Sequence, residues 1–268
     1  MAAPVAVVQG ASRGLGLEFC KQLLKWKTPA VVIATCRNPD GCLELQNLAA
    51  RGGAPGRGTL SLIQLDVDRE DEVRGAAERV AAQFGRVDLI INCSAMLHPS
   101  GRGETSLRDV SAQGVLATVT TNTVGPLLMA KYFTPLLQQG AGLFGSQPPE
   151  SGRQHRGLIV NMTAKVGSIG DNALGGWYSY RLSKAALNMV TRTLAIELGR
   201  STHNKVVCVS LHPGTVATDL SSPYLRNVPA HRLFSPEHSV SLLLDLIHTL
   251  NMEHTGQAFS WDGSPLPW

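Results

Sequence analysis

The chain has 268 residues, is 43% hydrophobic and carries a formal net charge of +4, so it can bury a large core and has the composition of an ordinary globular protein. Its lysines and arginines are spread out rather than blocked, which argues against a nucleic-acid partner or an anionic membrane surface. The five cysteines (Cys20, Cys36, Cys42, Cys93, Cys208) are odd in number and lack metal-ligand spacing; this argues against a disulfide framework or a metal site and for a reducing, cytoplasmic compartment.

The first strand is expected at 5–8, which leaves no room for a cleaved leader, and no run reaches the length of a membrane span. Helical periodicity follows over 14–26, then a strand over 30–36 and a helix over 41–50. A strand over 60–65 precedes a helix over 69–84. The strand at 87–93 leads through a loop to one long helix over 115–138. Residues 138–156, poor in apolar side chains, read as a surface insertion. A strand over 158–162, a helix over 179–199, a strand over 206–211, a helix over 240–250 and a short strand over 257–260 complete the chain. Near-continuous apolar strands alternating with helices imply a parallel sheet covered on both faces. The expected fold is α/β, one doubly wound Rossmann-type domain over residues 1–268, with about seven strands and right-handed crossovers.

Directly after the first strand comes Gly10-Ala11-Ser12-Arg13-Gly14-Leu15-Gly16, opening a helix. Glycines let the backbone turn tightly and approach a pyrophosphate, while the helix N-terminus presents N–H groups and a positive dipole to it. The second strand ends Thr35-Cys36-Arg37-Asn38, with no carboxylate before Asp40. An acidic side chain there would accept the ribose 2′-hydroxyl of NAD; arginine instead suits the 2′-phosphate of NADP. Arg13 and Arg37 therefore favour NADP(H) over NAD(H).

Farther along, Tyr180 and Lys184 lie four residues apart on an expected helix, so they share a face. A nearby ammonium stabilises a phenolate and lowers the tyrosine pKa from its usual value near 10, as a proton shuttle requires. Tyr178 has Leu182 at that offset and should face away.

The Gly-x-x-x-Gly-x-Gly spacing, with these motifs, resembles the classical short-chain dehydrogenase/reductase family along nearly the full length. The stretches "KVGSIGDNALGGWYSYRLSKAALN" and "FSWDGSPLPW" look like its C-factor-like and sniffer-like carbonyl-reductase group. The resemblance implies that Asp66-Val67 contacts the adenine and that Asn92 opens the counterpart of an Asn-Asn-Ala-Gly turn. It also implies that Asn122 anchors a water relay to Lys184, which holds the nicotinamide ribose, and that Pro213, Gly214, Val216 and Thr218 contact the nicotinamide carboxamide segment. The family's catalytic serine falls on Ala164, which has no donor. Thr163, adjacent, can take its place if the strand has already ended, and is carried in the catalytic set with Tyr180, Lys184 and Asn122; Ser168 is the other candidate. Gln9 and Ser94-Ala95 depart from the family's Thr and Ala-Gly. Losing one such donor costs on the order of 10²–10³ in rate. The implied function is NADPH-dependent reduction of a small-molecule carbonyl compound, by a chain able to form a homo-oligomer. The alternative is a cofactor-binding regulator that has lost the serine's chemistry.

Overall fold

The computed structural model describes residues 3–26, 28–51, 58–147, 154–200 and 204–268. Seven strands form one all-parallel sheet in the order β3-β2-β1-β4-β5-β6-β9. They are β1 (Val5–Gln9), β2 (Val31–Cys36), β3 (Thr59–Gln64), β4 (Leu89–Asn92), β5 (Gly157–Met162), β6 (Val206–His212) and β9 (Ala258–Ser260). Parallel strands need crossovers, and the helices supply them on both faces. On one face α1 (Gly14–Leu23), α2 (Leu43–Ala50) and α7 (Pro236–Thr249) bury Phe19, Leu23, Leu45, Leu243 and Ile247. On the other, α3 (Glu70–Phe84), α5 (Gly125–Leu137) and α6 (Tyr178–Gly199) bury Val73, Val80, Met129, Phe133 and Leu194. The central strands have side chains buried on both faces, which is why their sequences do not alternate.

β1 pairs with both β2 and β4, so the strand order reverses there. In open α/β sheets the crevice at the carboxyl ends of the strands at this reversal is where ligands bind.

Two expectations need correction. The helix foreseen over 115–138 is two helices, α4 (Ala112–Val119) and α5, joined by a π-helical turn at Thr120–Val124. Pro126 stands at the start of α5 and has no N–H, so the Asn122 carbonyl lacks its ordinary i+4 donor and the regular ladder is interrupted. Second, a two-stranded sheet, β7 (Thr215–Val216) with β8 (Leu233–Phe234), went unforeseen; two-residue strands carry no readable period. The 138–156 stretch is mostly exposed or half-buried where described, but it is anchored by a few buried contacts. Phe144 and His155 are buried, the His155 ring lies 3.0 Å from the Phe144 carbonyl, and Ala141 N–H donates to the buried Asp88 carboxylate at 2.7 Å. Residues 148–153 of that stretch lie outside the described ones. Elsewhere element ends shift by a few residues, and α7 begins at Pro236, capped by the Ser235 hydroxyl accepting from His238 N–H at 3.2 Å.

Candidate active site

The glycine turn follows β1 at the sheet's reversal point. Gly10 has φ 82°, in the left-handed region, and both its N–H and that of Ala11 donate to the Thr35 carbonyl at 3.0 Å. A Cβ on Gly16 would collide with the Gly10 carbonyl. The turn is thus folded back on the start of α1, as a cradle in which backbone N–H groups reach a phosphate requires. Gly10 also lies against Ser94. Gln9 and Ser94, two of the departures from the family pattern, bond to each other: Gln9 Nε2 donates to Ser94 Oγ at 2.6 Å and Ser94 N–H donates to Gln9 Oε1 at 3.2 Å. Their replacement is paired, so the turns after β1 and β4 stay in contact.

Arg13 and Arg37 are exposed at this end of the sheet. Arg13 pairs with Asp219 at 3.1 Å. Ser12, half-buried, accepts from the Cys42 thiol through its carbonyl at 3.3 Å, and Leu15 packs against the core. Gly14 faces Thr218. With the Arg13–Asp219 pair, this brings the segment after β7 directly onto the glycine turn. Asp66 ends the third strand's turn, its carboxylate accepting from Asp68 N–H at 3.1 Å. Val67 is buried and packs so closely against Gly125 that a side chain there would collide. Pro213 accepts from the Ser239 hydroxyl through its carbonyl at 2.8 Å, Gly214 (φ 78°) turns beneath Phe234, and Val216 is buried.

At the carboxyl end of β4, Asn92 Nδ2 donates to Asn161 Oδ1 at 2.8 Å, and the Asn92 Oδ1 is buried without a partner among the described residues. An unpartnered buried acceptor lining this crevice is a group that a ligand can satisfy. The glycine cradle, the switch-point position and this acceptor together fit a dinucleotide.

The candidate catalytic residues converge from three elements. Asn122, wholly buried in the π-helical turn, clamps the Met96 peptide from both sides: Met96 N–H donates to its Oδ1 at 2.9 Å, and its Nδ2 donates to the Met96 carbonyl at 2.8 Å. The same Nδ2 donates to Ser183 Oγ at 2.9 Å, which in turn donates to the Tyr180 carbonyl at 2.8 Å. Asn122 therefore ties the turn after β4 to the first turns of α6. Tyr180 is 6% exposed while Tyr178 is 41% exposed, the inward and outward faces expected of residues about 200° apart on a helix. The Tyr180 hydroxyl has no hydrogen-bond partner among the described residues.

One electrostatic expectation is overturned. Burial raises the Tyr180 pKa above the ordinary phenol value. The Lys184 ammonium lies 5.7 Å from the Tyr180 ring centre and donates to the Met162 carbonyl at 2.8 Å. Its own pKa falls to about 8, through burial. The phenol thus stays protonated at neutral pH, the form in which it can give a proton away.

The hydroxyls upstream are engaged elsewhere. Thr163 lies just past the end of β5, but it is buried and donates to Asn188 Oδ1 at 2.7 Å, beside α6. Ser168 lies 3.3 Å from the Trp268 carbonyl and accepts from Asp171 N–H at 3.1 Å. Ala164 is half-buried on extended backbone, φ −145° and ψ 147°. Sequence reasoning gave no individual role to Glu104 or Trp177, which meet at the start of α6 with Tyr224 beside them. Gly103 N–H donates to the Tyr224 hydroxyl at 2.8 Å, and the Trp177 ring lies 4.5 Å from Tyr224 and 6.1 Å from Tyr180. The one signal for them was the Gly175-Gly176-Trp177 run, where both glycines have positive φ.

Residues 4–228 match the short chain dehydrogenase family. The fold superimposes on an NADPH-bound carbonyl reductase from chicken fatty liver with a TM-score of 0.84 and 30% identity, covering 100% of both chains. It superimposes equally well, TM-score 0.84, on the carbonyl reductase Sniffer of D. melanogaster, at 28% identity and again covering 100% of both chains. C-signal of Myxococcus xanthus is 35% identical over 184 residues, 69% of this chain and 94% of that one. With the match extending over most of its length and the glycine turn, asparagine, tyrosine and lysine in one crevice, the chain belongs to the short-chain dehydrogenase family and is an NAD(P)-dependent oxidoreductase.

Proposed function

We propose that the protein is an NADPH-dependent carbonyl reductase in which Tyr180 is the proton donor. The observation that carries this reading is the buried Tyr180, its hydroxyl without a partner among the described residues, with Lys184 one turn along α6 and Asn122 bound to the same helix through Ser183. A nicotinamide cofactor, when bound, supplies the hydride to the carbonyl carbon. The glycine turn, with Gly10, Ser12, Arg13, Gly14, Leu15 and Gly16, would hold its pyrophosphate. Asp66, Val67 and Asn92 would hold the adenosine side and the cradle floor. Pro213, Gly214, Val216 and Thr218 would flank the nicotinamide. Tyr180 gives its proton to the substrate oxygen as the alcohol forms, and the Lys184 ammonium stabilises the phenolate left behind. The pocket wall is formed where the 96–105 and 222–233 segments meet at Gly103 and Tyr224.

Thr163 fills the serine's role only by exchanging Asn188 for the substrate. That engaged hydroxyl, together with Ala164, favours the second reading, a cofactor-binding regulator with weakened chemistry. Turnover of NADPH with a panel of aldehydes and quinones separates the two.

Preference for NADPH rests on Arg37 and Arg13, with Arg13 leaving Asp219 for the 2′-phosphate. Arg37→Ala is expected to weaken NADPH binding about ten- to a hundredfold, the value of a charged hydrogen bond, while NADH binding changes little. Fluorescence titration of both nucleotides measures it; an unchanged NADPH/NADH ratio would remove Arg37 from the assignment.

The pH dependence has a definite sign. Lys184 is protonated below its depressed pKa of about 8 and neutral above it, so kcat/KM for reduction, which reports the free protein, should fall above about pH 8. A profile that stays flat well beyond that point would show that the ammonium is dispensable.

The outward face of α6 carries Leu182, Met189 and Ile196 at seven-residue intervals, with Met189 66% exposed, beside the exposed Leu116 of α4. Such a seam is covered when helices pair. A second copy of the chain is the proposed occupant, and Met189→Arg is expected to convert a dimer to monomer in sedimentation velocity. A wild-type monomer at micromolar concentration would refute the pairing.

A further inference from the structure

Glu104 takes no part in the chemistry above, yet it is 4% exposed and has no cation partner among the described residues. Its carboxyl faces the start of α6 instead. Ser179 N–H lies 3.2 and 3.3 Å from its two oxygens, and the Ser179 hydroxyl donates to Oε1. The Glu104 carbonyl accepts from Trp177 N–H at 2.6 Å. A single residue of a distant loop thus satisfies N–H groups on either side of Tyr178, at the helix terminus where such donors have no intrahelical partner.

What this clamp holds is not a relaxed conformation. Trp177 has φ 52° and ψ 44°, the one non-glycine residue with positive φ among those described. A bulky side chain there costs on the order of 1–3 kcal/mol and persists only where surroundings enforce it. The enforcing contacts can be named. The Trp177 ring occupies the space that a side chain at position 103 would need. Tyr224, bound to the Gly103 N–H, packs against it with ring centres 4.5 Å apart and planes tilted by 49°. The Arg181 guanidinium donates to the Gly176 carbonyl at 2.9 Å and to the Val166 carbonyl at 3.1 Å, tying down the backbone just before Trp177. The Trp177 edge then meets the Tyr180 ring at 6.1 Å.

We propose that Glu104 is a positioning residue for Tyr180: by fixing Ser179 and Trp177 it sets the first turn of α6, and with it where the phenol hydroxyl stands in the pocket. The proposal rests on the reading of Tyr180 as proton donor. An acid misplaced by about an ångström costs on the order of 10²-fold in rate, and the residue adjoining Tyr180 is the one the carboxyl grips. Nothing in the glycine turn touches Glu104, so cofactor binding should be indifferent to it.

The test compares Glu104→Ala, Glu104→Gln and Ser179→Ala for kcat, NADPH dissociation constant and thermal midpoint. The expected result is a fall in kcat on the order of 10²-fold in Glu104→Ala, with NADPH affinity within about twofold of the unmodified protein. Glu104→Gln, which keeps an acceptor for Ser179 N–H, should recover most of the rate. Unchanged kcat in Glu104→Ala overturns the proposal. So does a joint fall of kcat, affinity and thermal midpoint that glutamine does not rescue, because that is general loss of structure. Should Glu104→Ala not fold, Ser179→Ala carries the test: a smaller loss of kcat at constant affinity supports the proposal, and full activity overturns it. Near-ultraviolet circular dichroism keeps the two readings separable. The band that Trp177→Phe removes should also vanish in Glu104→Ala or Ser179→Ala while far-ultraviolet dichroism persists. If the unmodified protein proves inert, loss of that band still supports the positioning role and only the catalytic reading fails; retention of the band overturns the positioning role.

Discussion

Tyr180→Phe is expected to lower turnover on the order of 10²–10⁴-fold, the usual contribution of a positioned acid, while NADPH binding survives. The substitution keeps the ring, and it is the ring that packs against Trp177 and lies beneath the Lys184 ammonium. Only the hydroxyl goes, and that hydroxyl has no structural bond to lose among the described residues, so stability should change little. Tyr178→Phe is the matched control. Tyr178 is exposed on the other side of α6, and its variant should turn over within a small factor of the unmodified protein. Steady-state NADPH oxidation, with cofactor binding as the folding check, reads both. Near-normal turnover in Tyr180→Phe would remove the phenol from the mechanism.

The second large effect is a gain. Ala164→Ser should raise carbonyl reduction by up to 10²–10³-fold, the value of one preorganised donor at a developing oxyanion. The site has the backbone for it: Ala164 is half-buried and extended, conformations serine adopts freely. Its neighbours cannot already do the work without giving up bonds, since Thr163 donates to Asn188 and Ser168 is bound to the chain end and to Asp171. Rates of the variant and the unmodified protein on the same carbonyl panel decide the point. A variant no faster than its parent would mean that the third donor comes from elsewhere or is not needed.

How much of this could be read in advance follows physical lines. The strands were legible because burial on both faces makes them continuous apolar runs, and β1 with its glycine turn was legible because only glycine can turn there and let Gly16 approach Gly10. Helical spacing puts Tyr180 and Lys184 on one face, and the surrounding motifs with their family resemblance single the pair out. Most of what escaped the linear reading depends on burial or long-range contacts. The exception is the split at Asn122, which is local: Pro126 lacks the N–H, but the helical period around it is strong enough to mask the break. The pKa of Tyr180 was misjudged because spacing gives proximity to a cation but says nothing of burial, which dominates. Gln9 and Ser94, read separately as departures, form a pair that no linear reading joins. Glu104 carries no motif, and its role arises only from the fold that brings it to Ser179.

The most direct test of the central claim is isotope transfer. NADPH deuterated at the transferring position of the nicotinamide is incubated with the unmodified protein and the carbonyl panel under single-turnover conditions, and the alcohols are analysed by mass spectrometry. The account predicts deuterium on the carbinol carbon of at least one product, lost in Tyr180→Phe and enriched in Ala164→Ser. No deuterium in any product, from a protein that demonstrably binds NADPH, would contradict it and leave a cofactor-binding regulator.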